Sequence, residues 1–140
     1  MRSQFIAVAE DSDEDFDTAM DAARFGEMQF PIVRARSGAE CLQLLRDSLD
    51  RREAQPVLLL LDLNMPGLDG RDVLREMRSD AAPRNVPVVV LSASANPRDL
   101  EFCYTHGVNA YHVKPVNHAL HLRVLQDIFT YWLGSVVLPT

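Results

Sequence analysis

The run Pro56-Val57-Leu58-Leu59-Leu60-Leu61 stops at a carboxylate, Asp62, and the turn Leu63-Asn64-Met65-Pro66-Gly67 follows it. An unbroken apolar run of this length reads as a strand buried on both faces, which calls for a parallel sheet covered by helices. A charge at its end must leave the apolar layer or find a partner, because an unpaired buried charge is costly. The acid is therefore presented at the rim of a sheet, where open α/β proteins place their chemistry.

The rest of the chain repeats the pattern. Strands are expected over residues 5–9, 30–35, 57–61, 86–91 and 110–113, and helices over 12–25, 38–51, 70–78, 97–106 and 117–133. In the first helix Phe16, Ala19, Met20 and Ala23 recur at i, i+3, i+4 and i+7. In the second, Cys41, Leu42, Leu45 and Leu49 form the inward face, and in the third Val73, Leu74 and Met77 do. Pro31 and Arg34 mark the second strand as an edge. Residues 51–56 read as a polar connection. Asn117 suits an N-cap, while Gly107 and Gly134 suit helix stops. Strands alternating with helices predict a doubly wound (βα)5 fold of the flavodoxin-like kind, a five-stranded parallel sheet in the order 2-1-3-4-5 with helices on both faces. No linker interrupts the pattern, so one domain is expected over 1–134, with 135–140 as a tail.

Composition narrows the function. The formal charge of −6 opposes nucleic-acid binding, and Arg51-Arg52 is too short a basic patch to reverse it. No apolar run reaches the roughly 20 residues needed to span a bilayer, and no secretory pattern opens the chain, so a cytoplasmic protein with no membrane partner is expected. Cys41 and Cys103 fall in helical patterns and read as lone buried thiols.

All five strand ends share one edge of a parallel sheet. The first ends in Glu10-Asp11, the third in Asp62, the fourth in Ser92 and the fifth before Lys114-Pro115. In the order 2-1-3-4-5 the first and third strands flank the switch point, so Glu10, Asp11 and Asp62 converge on one crevice. Taken singly, each acid could be a solvated loop residue. Together they repel one another, and a divalent cation relieves that repulsion. Oxygen ligands suit Mg²⁺, with Mn²⁺ able to substitute. A phosphoryl group on Asp62 would meet that metal, the Lys114 ammonium and the Ser92 hydroxyl, the groups that stabilise charge on transferring phosphoryl oxygens. An aspartyl phosphate is established chemistry for a carboxylate nucleophile. Singly, Ser92 could be a strand-end hydroxyl bonded to backbone and Lys114 a solvated lysine.

The motifs Val8-Ala9-Glu10-Asp11, Leu59-Leu60-Leu61-Asp62-Leu63-Asn64-Met65-Pro66-Gly67-Leu68-Asp69-Gly70, Val89-Val90-Leu91-Ser92-Ala93 and Tyr111-His112-Val113-Lys114-Pro115 run in order along essentially the whole chain. In this the sequence resembles the receiver domain of two-component response regulators. The resemblance implies Asp62 as phosphoacceptor, with the metal held by Asp11, Asp62 and the Asn64 carbonyl and by Glu10 through water. It implies phosphoryl contact by Lys114, a Ser92–Tyr111 switch pair and a cis bond before Pro115. Glu10 stands where Asp is common in the family, and Glu is also seen there. The ending Phe129-Thr130-Tyr131-Trp132-Leu133-Gly134 with Val137-Leu138-Pro139, the opening Asn96-Pro97-Arg98-Asp99 of the fourth helix and the lengthened 49–55 connection resemble a narrower group. These are the small stand-alone regulators paired with bacterial and cyanobacterial phytochromes.

The implied function is a single-domain, phosphorelay-type signalling phosphoprotein, not an enzyme, that assists its own phosphorylation and dephosphorylation. The implied partners are a sensor histidine kinase of the phytochrome kind and, as a further candidate, a histidine phosphotransfer protein. Two other readings compete. An aspartate-nucleophile phosphatase or phosphotransferase would want Asp-x-Asp where Asn64 fills the second place, which weakens the general acid. A phosphorylation-silent binding module would not need the full set Asp11, Asp62, Ser92 and Lys114.

The last helix carries two apolar stripes. Leu120, Val124, Ile128 and Tyr131 are expected to face the sheet. Leu122, Leu125, Phe129, Trp132 and Leu133, continued by Val137 and Leu138, lie nearly opposite and predict a homodimer interface. The alternative is a tail that covers this stripe within one chain. His118 and His121, three apart on the same helix, lack an accompanying thiol or carboxylate pattern, so a solvated face is expected there and not a zinc site.

Overall fold

The protein is described by a computed structural model over residues 3–25, 30–50, 54–77 and 85–138. Five strands and five helices alternate: β1 Ser3–Ala9, α1 Asp13–Phe25, β2 Ile32–Ala35, α2 Gly38–Asp50, β3 Ala54–Leu61, α3 Gly70–Met77, β4 Val88–Ser92, α4 Pro97–Thr105, β5 Ala110–Val113 and α5 His118–Thr130. The strands form one parallel sheet in the order β2-β1-β3-β4-β5. The expected doubly wound order is therefore present.

Alternation along the strands divides the core. Phe5, Ala7, Ala9, Leu59, Leu61, Val88 and Val90 pack against α2, α3 and α4 through Leu42, Leu45, Val73, Leu74 and Cys103. Ile6, Val8, Leu58, Leu60, Val89 and Leu91 pack against α1 and α5 through Ala19, Ala22, Leu125, Ile128 and Phe129. Both cysteines are free and buried. Among the described residues no helix is long and apolar enough to cross a membrane.

β3 takes up part of the expected polar connection, from Ala54 on; residues 51–53, including Arg51-Arg52, lie outside the described residues, as do Arg78, Pro139 and Thr140. The β1–β3 register shifts between Phe5 and Ile6, beside Pro56. Pro56 has no N–H to place in the ladder, which makes this the natural site for the irregularity. Leu49, expected inward, is largely exposed at the end of α2.

The α5 expectation reverses in part: Ile128 is buried and Val124 packs against the core as expected. Leu125 and Phe129, assigned to a dimer interface, are buried in their own chain's core, and Leu122, Trp132, Leu133 and Leu138 pack against it. Leu120 and Tyr131, expected on the sheet, are each 55% exposed. Leu125, Ile128, Phe129 and Trp132 make an i, i+3, i+4, i+7 stripe that fits one packing face, and Ile128 borders both stripes. The helix does not stop at Gly134 on a left-handed cap. A π-helical turn, Tyr131–Ser135, widens its end, and the Val136 N–H donates to the Tyr131 carbonyl at 3.1 Å. Gly107, in contrast, has φ 83° and closes α4, with the Val108 N–H on the Cys103 carbonyl at 3.2 Å.

Candidate functional site

Parallel-ladder hydrogen bonds run one residue past the strand ends and fix the acids there. The Glu10 N–H donates to the Ala35 carbonyl (2.9 Å), the Asp62 N–H to the Ala9 carbonyl (3.0 Å) and the Lys114 N–H to the Ser92 carbonyl (2.7 Å). Carboxylate oxygens of Glu10, Asp11 and Asp62 consequently lie within 4.8 Å of one another. The crevice expected between the first and third strands is therefore present.

Lys114 reaches into it from the end of β5. Its Nζ donates to Glu10 Oε1 at 2.6 Å, Asp15 Oδ2 at 2.8 Å and Asp62 Oδ2 at 3.3 Å, with the side chain only 11% exposed. Asp62 Oδ1 accepts the Asn64 N–H at 3.2 Å. Ser92 is fully buried at the end of β4, and its hydroxyl oxygen accepts the Ser94 N–H at 3.2 Å. The half-buried Tyr111 donates its hydroxyl to the Ser94 carbonyl at 2.7 Å. Ser92 and Tyr111 thus meet through Ser94.

The electrostatics express crowding among the acids. Burial, then the Asp62 charge, push the Glu10 carboxyl up to about 7 despite its bond to Lys114. Burial alone would pull Lys114 down; its bonds to Asp15 and Glu10 and the charges of Asp62 and Glu10 outweigh that, and its pKa moves up. Burial and the Asp62 charge raise Glu10, and the three carboxylates around one ammonium raise Lys114. It is held firmly charged, while Glu10 stays under-compensated. An all-oxygen cluster with surplus negative charge is a donor set that fits a hard divalent cation.

Two expectations fail here. Every peptide bond among the described residues is trans, the one before Pro115 included; trans is the lower-energy isomer by roughly 0.5–1 kcal/mol, and Lys114 makes all its ion pairs with it. His121 is not on a solvated face. It is buried under the site, its Nδ1 3.9 Å from Asp15 Oδ1, and burial lowers its pKa. His118 is exposed.

The structure adds residues that sequence reasoning passed over. Arg34, read as an edge marker, donates to the Glu10 carbonyl (3.0 Å), the Asp11 carbonyl (3.2 Å) and the Asp13 carboxylate (2.7 Å) and lies over the Phe16 ring. It pins the loop that carries two of the three acids. Asp15 is one of three acids, Asp13, Glu14 and Asp15, in the first turn of α1, and no spacing in the sequence singled it out. Arg71 joins the loop after Asp62 to α4 by donating to Asp69 (3.2 Å) and Asp99 (2.8 Å), and Asp99 accepts the Ser94 hydroxyl at 2.6 Å.

Comparison with known proteins agrees with this geometry. A family model described as the response regulator receiver domain matches residues 6–126. The response regulator Rcp1 of Synechocystis sp. is 32% identical over 135 residues, covering 96% of this chain and 92% of that protein. Among solved structures, the phosphorylated cyanobacterial phytochrome response regulator RcpA superposes with a TM-score of 0.89 at 33% identity, covering all of both chains. The Mn²⁺-bound form of Rcp1 gives 0.88 at 31% identity, covering 97% of this chain and 99% of that one.

Proposed function

The chain belongs to the response regulator receiver domain family, and on that premise we propose that Asp62 accepts a phosphoryl group from a sensor histidine kinase of the phytochrome kind. The observation that carries this reading is the convergence of Lys114, Glu10 and Asp11 on the Asp62 carboxylate at the sheet edge. An Asp62 oxygen attacks phosphorus on the donor's phosphohistidine. The P–N bond breaks, its electron pair returns to the imidazole, and an acyl phosphate forms. The Lys114 ammonium balances charge on the phosphoryl oxygens, and the Ser92 hydroxyl donates to one of them. A histidine phosphotransfer protein presents the same phosphohistidine and would serve as donor in the same way.

Mg²⁺, or Mn²⁺ in its place, would be held by Asp11, Asp62 and the Asn64 carbonyl, with Glu10 acting through water. When bound it supplies positive charge to the acid cluster and the phosphoryl oxygens. The protein is a phosphoacceptor that assists its own turnover and does not process a stream of substrate. Once the Ser92 hydroxyl leaves Ser94 for the phosphoryl group, the Ser94 loop and its bond to Tyr111 are free to rearrange, which transmits the change toward α4 and β5.

Acetyl phosphate with Mg²⁺ is expected to give a stoichiometric, slowly lost phosphoprotein, and Asp62→Asn to remove the label. Turnover of many equivalents would favour a phosphatase or phosphotransferase, and absence of label a silent binding module.

We also propose that two copies associate through α5 and the tail, now on the exposed Leu120, Tyr131 and Val137, the last 95% exposed. Light scattering is expected to find a dimer at micromolar concentration that weakens when the chain is cut after Gly134. A monomeric intact chain would rule this out.

A further inference from the structure

We infer that Asp15 is a positioning residue for phosphoryl transfer: it anchors the Lys114 ammonium and keeps it from closing onto the Asp62 nucleophile. The inference rests on the phosphoacceptor reading of Asp62 and assigns a role to a residue outside the acid cluster itself.

An ammonium has three donors, and Lys114 spends them on three carboxylates. The contacts to Glu10 (2.6 Å) and Asp15 (2.8 Å) are short, and the contact to Asp62 (3.3 Å) is long. Lysine is therefore drawn away from the reacting carboxylate. Two of its partners are committed elsewhere in the reaction. Asp62 becomes an acyl phosphate and loses its negative charge at the carboxyl, and Glu10 belongs to the cluster that fits a cation. Asp15 is the partner that neither event claims.

Its own placement is fixed. Asp15 sits in the first turn of α1, its N–H accepted by the Ser12 hydroxyl oxygen at 3.2 Å. One carboxylate oxygen meets Lys114 and the other faces the buried His121. A helix-borne acid in the first turn of α1 gives the flexible lysine a rigid anchor, and positioning of this kind matters because an error of about 1 Å at a reacting centre can cost roughly 10²-fold in rate. If Asp15 only complemented the helix dipole, as Asp13 and Glu14 in the same turn can, its charge would be dispensable to Lys114.

Without Asp15, the ammonium redistributes between Glu10 and Asp62. The Asp62 contact shortens, and a carboxylate held by a tight ion pair is a poorer nucleophile. Phosphorylation of Asp15→Asn by acetyl phosphate is thus expected to be slower by about tenfold at saturating Mg²⁺. Asp15→Glu, which restores the charge, should recover most of the rate. A readout independent of any variant comes from the intact protein: an NMR scalar coupling across the hydrogen bond from Lys114 Nζ to the Asp15 carboxyl carbon is expected, and its absence would overturn the inference even if Asp15→Asn failed to fold. Labelling of Asp15→Asn at the wild-type rate, recovery of the wild-type rate once Mg²⁺ is saturating, or no recovery in Asp15→Glu would each overturn it too. If wild-type protein does not label, the phosphoacceptor reading falls first. If it labels and Asp15→Asn labels equally fast, only the positioning role falls.

Discussion

Replacing Gly70 by alanine is expected to cost about 3 kcal/mol of stability or more and to slow phosphorylation of the molecules that remain folded. A methyl at this buried position, the first of α3, would run into the Asp62 carbonyl oxygen and lie 2.8 Å from Leu63 Cα. Both obstacles are backbone, so no side chain can turn aside. The Gly70 N–H also donates to the Leu63 carbonyl at 2.9 Å, which ties the helix start to the segment just after Asp62. Relief of the clash would push Asp62 and Leu63 outward and alter the reach from Lys114. Gly134 is the control: nothing lies within 4 Å of its added methyl, and its φ is not left-handed. Alanine there should be neutral or slightly stabilising. Urea unfolding of both variants checks this. A Gly70→Ala midpoint equal to that of Gly134→Ala would contradict the close packing of α3 against the end of β3.

The second large effect concerns pH in the metal-free protein. Native Glu10 titrates near 7 against an ordinary 4.5, chiefly because it is buried and next because Asp62 is charged. Between those two values the native state holds a proton that the unfolded chain has released. Stability from the protonated carboxyl is therefore fully present below about 4.5 and is lost as pH rises toward about 7, a change on the order of 3 kcal/mol. In EDTA, unfolding midpoints should fall across that window. Glu10→Gln keeps an oxygen for Lys114 and removes the charge, so it should flatten the fall and be the more stable protein at the upper end. Mg²⁺ should raise wild-type stability there and raise that of Glu10→Gln less. His121 and His112, whose pKa values burial lowers, titrate in the same window with the opposite sign, so the Glu10 contribution is read from the difference between wild type and Glu10→Gln. A difference that stays constant across the window would mean that the acids are not crowded.

Much of this was legible in the sequence because it rests on local rules. The apolar run before Asp62 and the helical spacings around it fix the alternation of elements, and parallel strands then force Glu10, Asp62, Ser92 and Lys114 to one edge. What escaped depends on choices between equivalent local patterns. α5 carries two apolar stripes, and only the shape of the sheet and α1 selects Leu125, Ile128 and Phe129 over Leu120 and Tyr131. Asp13, Glu14 and Asp15 are alike as first-turn acids until Lys114 arrives from 99 residues away. Arg34 suits an exposed edge as well as it suits its actual place, nearly buried over the β1–α1 loop. The isomer before Pro115 is set by tertiary surroundings, since the intrinsic preference is only roughly 0.5–1 kcal/mol.

The central claim is that Asp62 carries the phosphoryl group. Borohydride reduces an acyl phosphate to an alcohol and leaves a free carboxylate untouched, so trapping after acetyl phosphate and Mg²⁺, followed by peptide mass spectrometry, reads the modified residue directly. Homoserine at position 62, absent without Mg²⁺, with Glu10, Asp11 and Asp15 unreduced, is the expected result. Homoserine at Asp11 or Asp15, or 2-amino-5-hydroxypentanoic acid at Glu10, with residue 62 unmodified would contradict it.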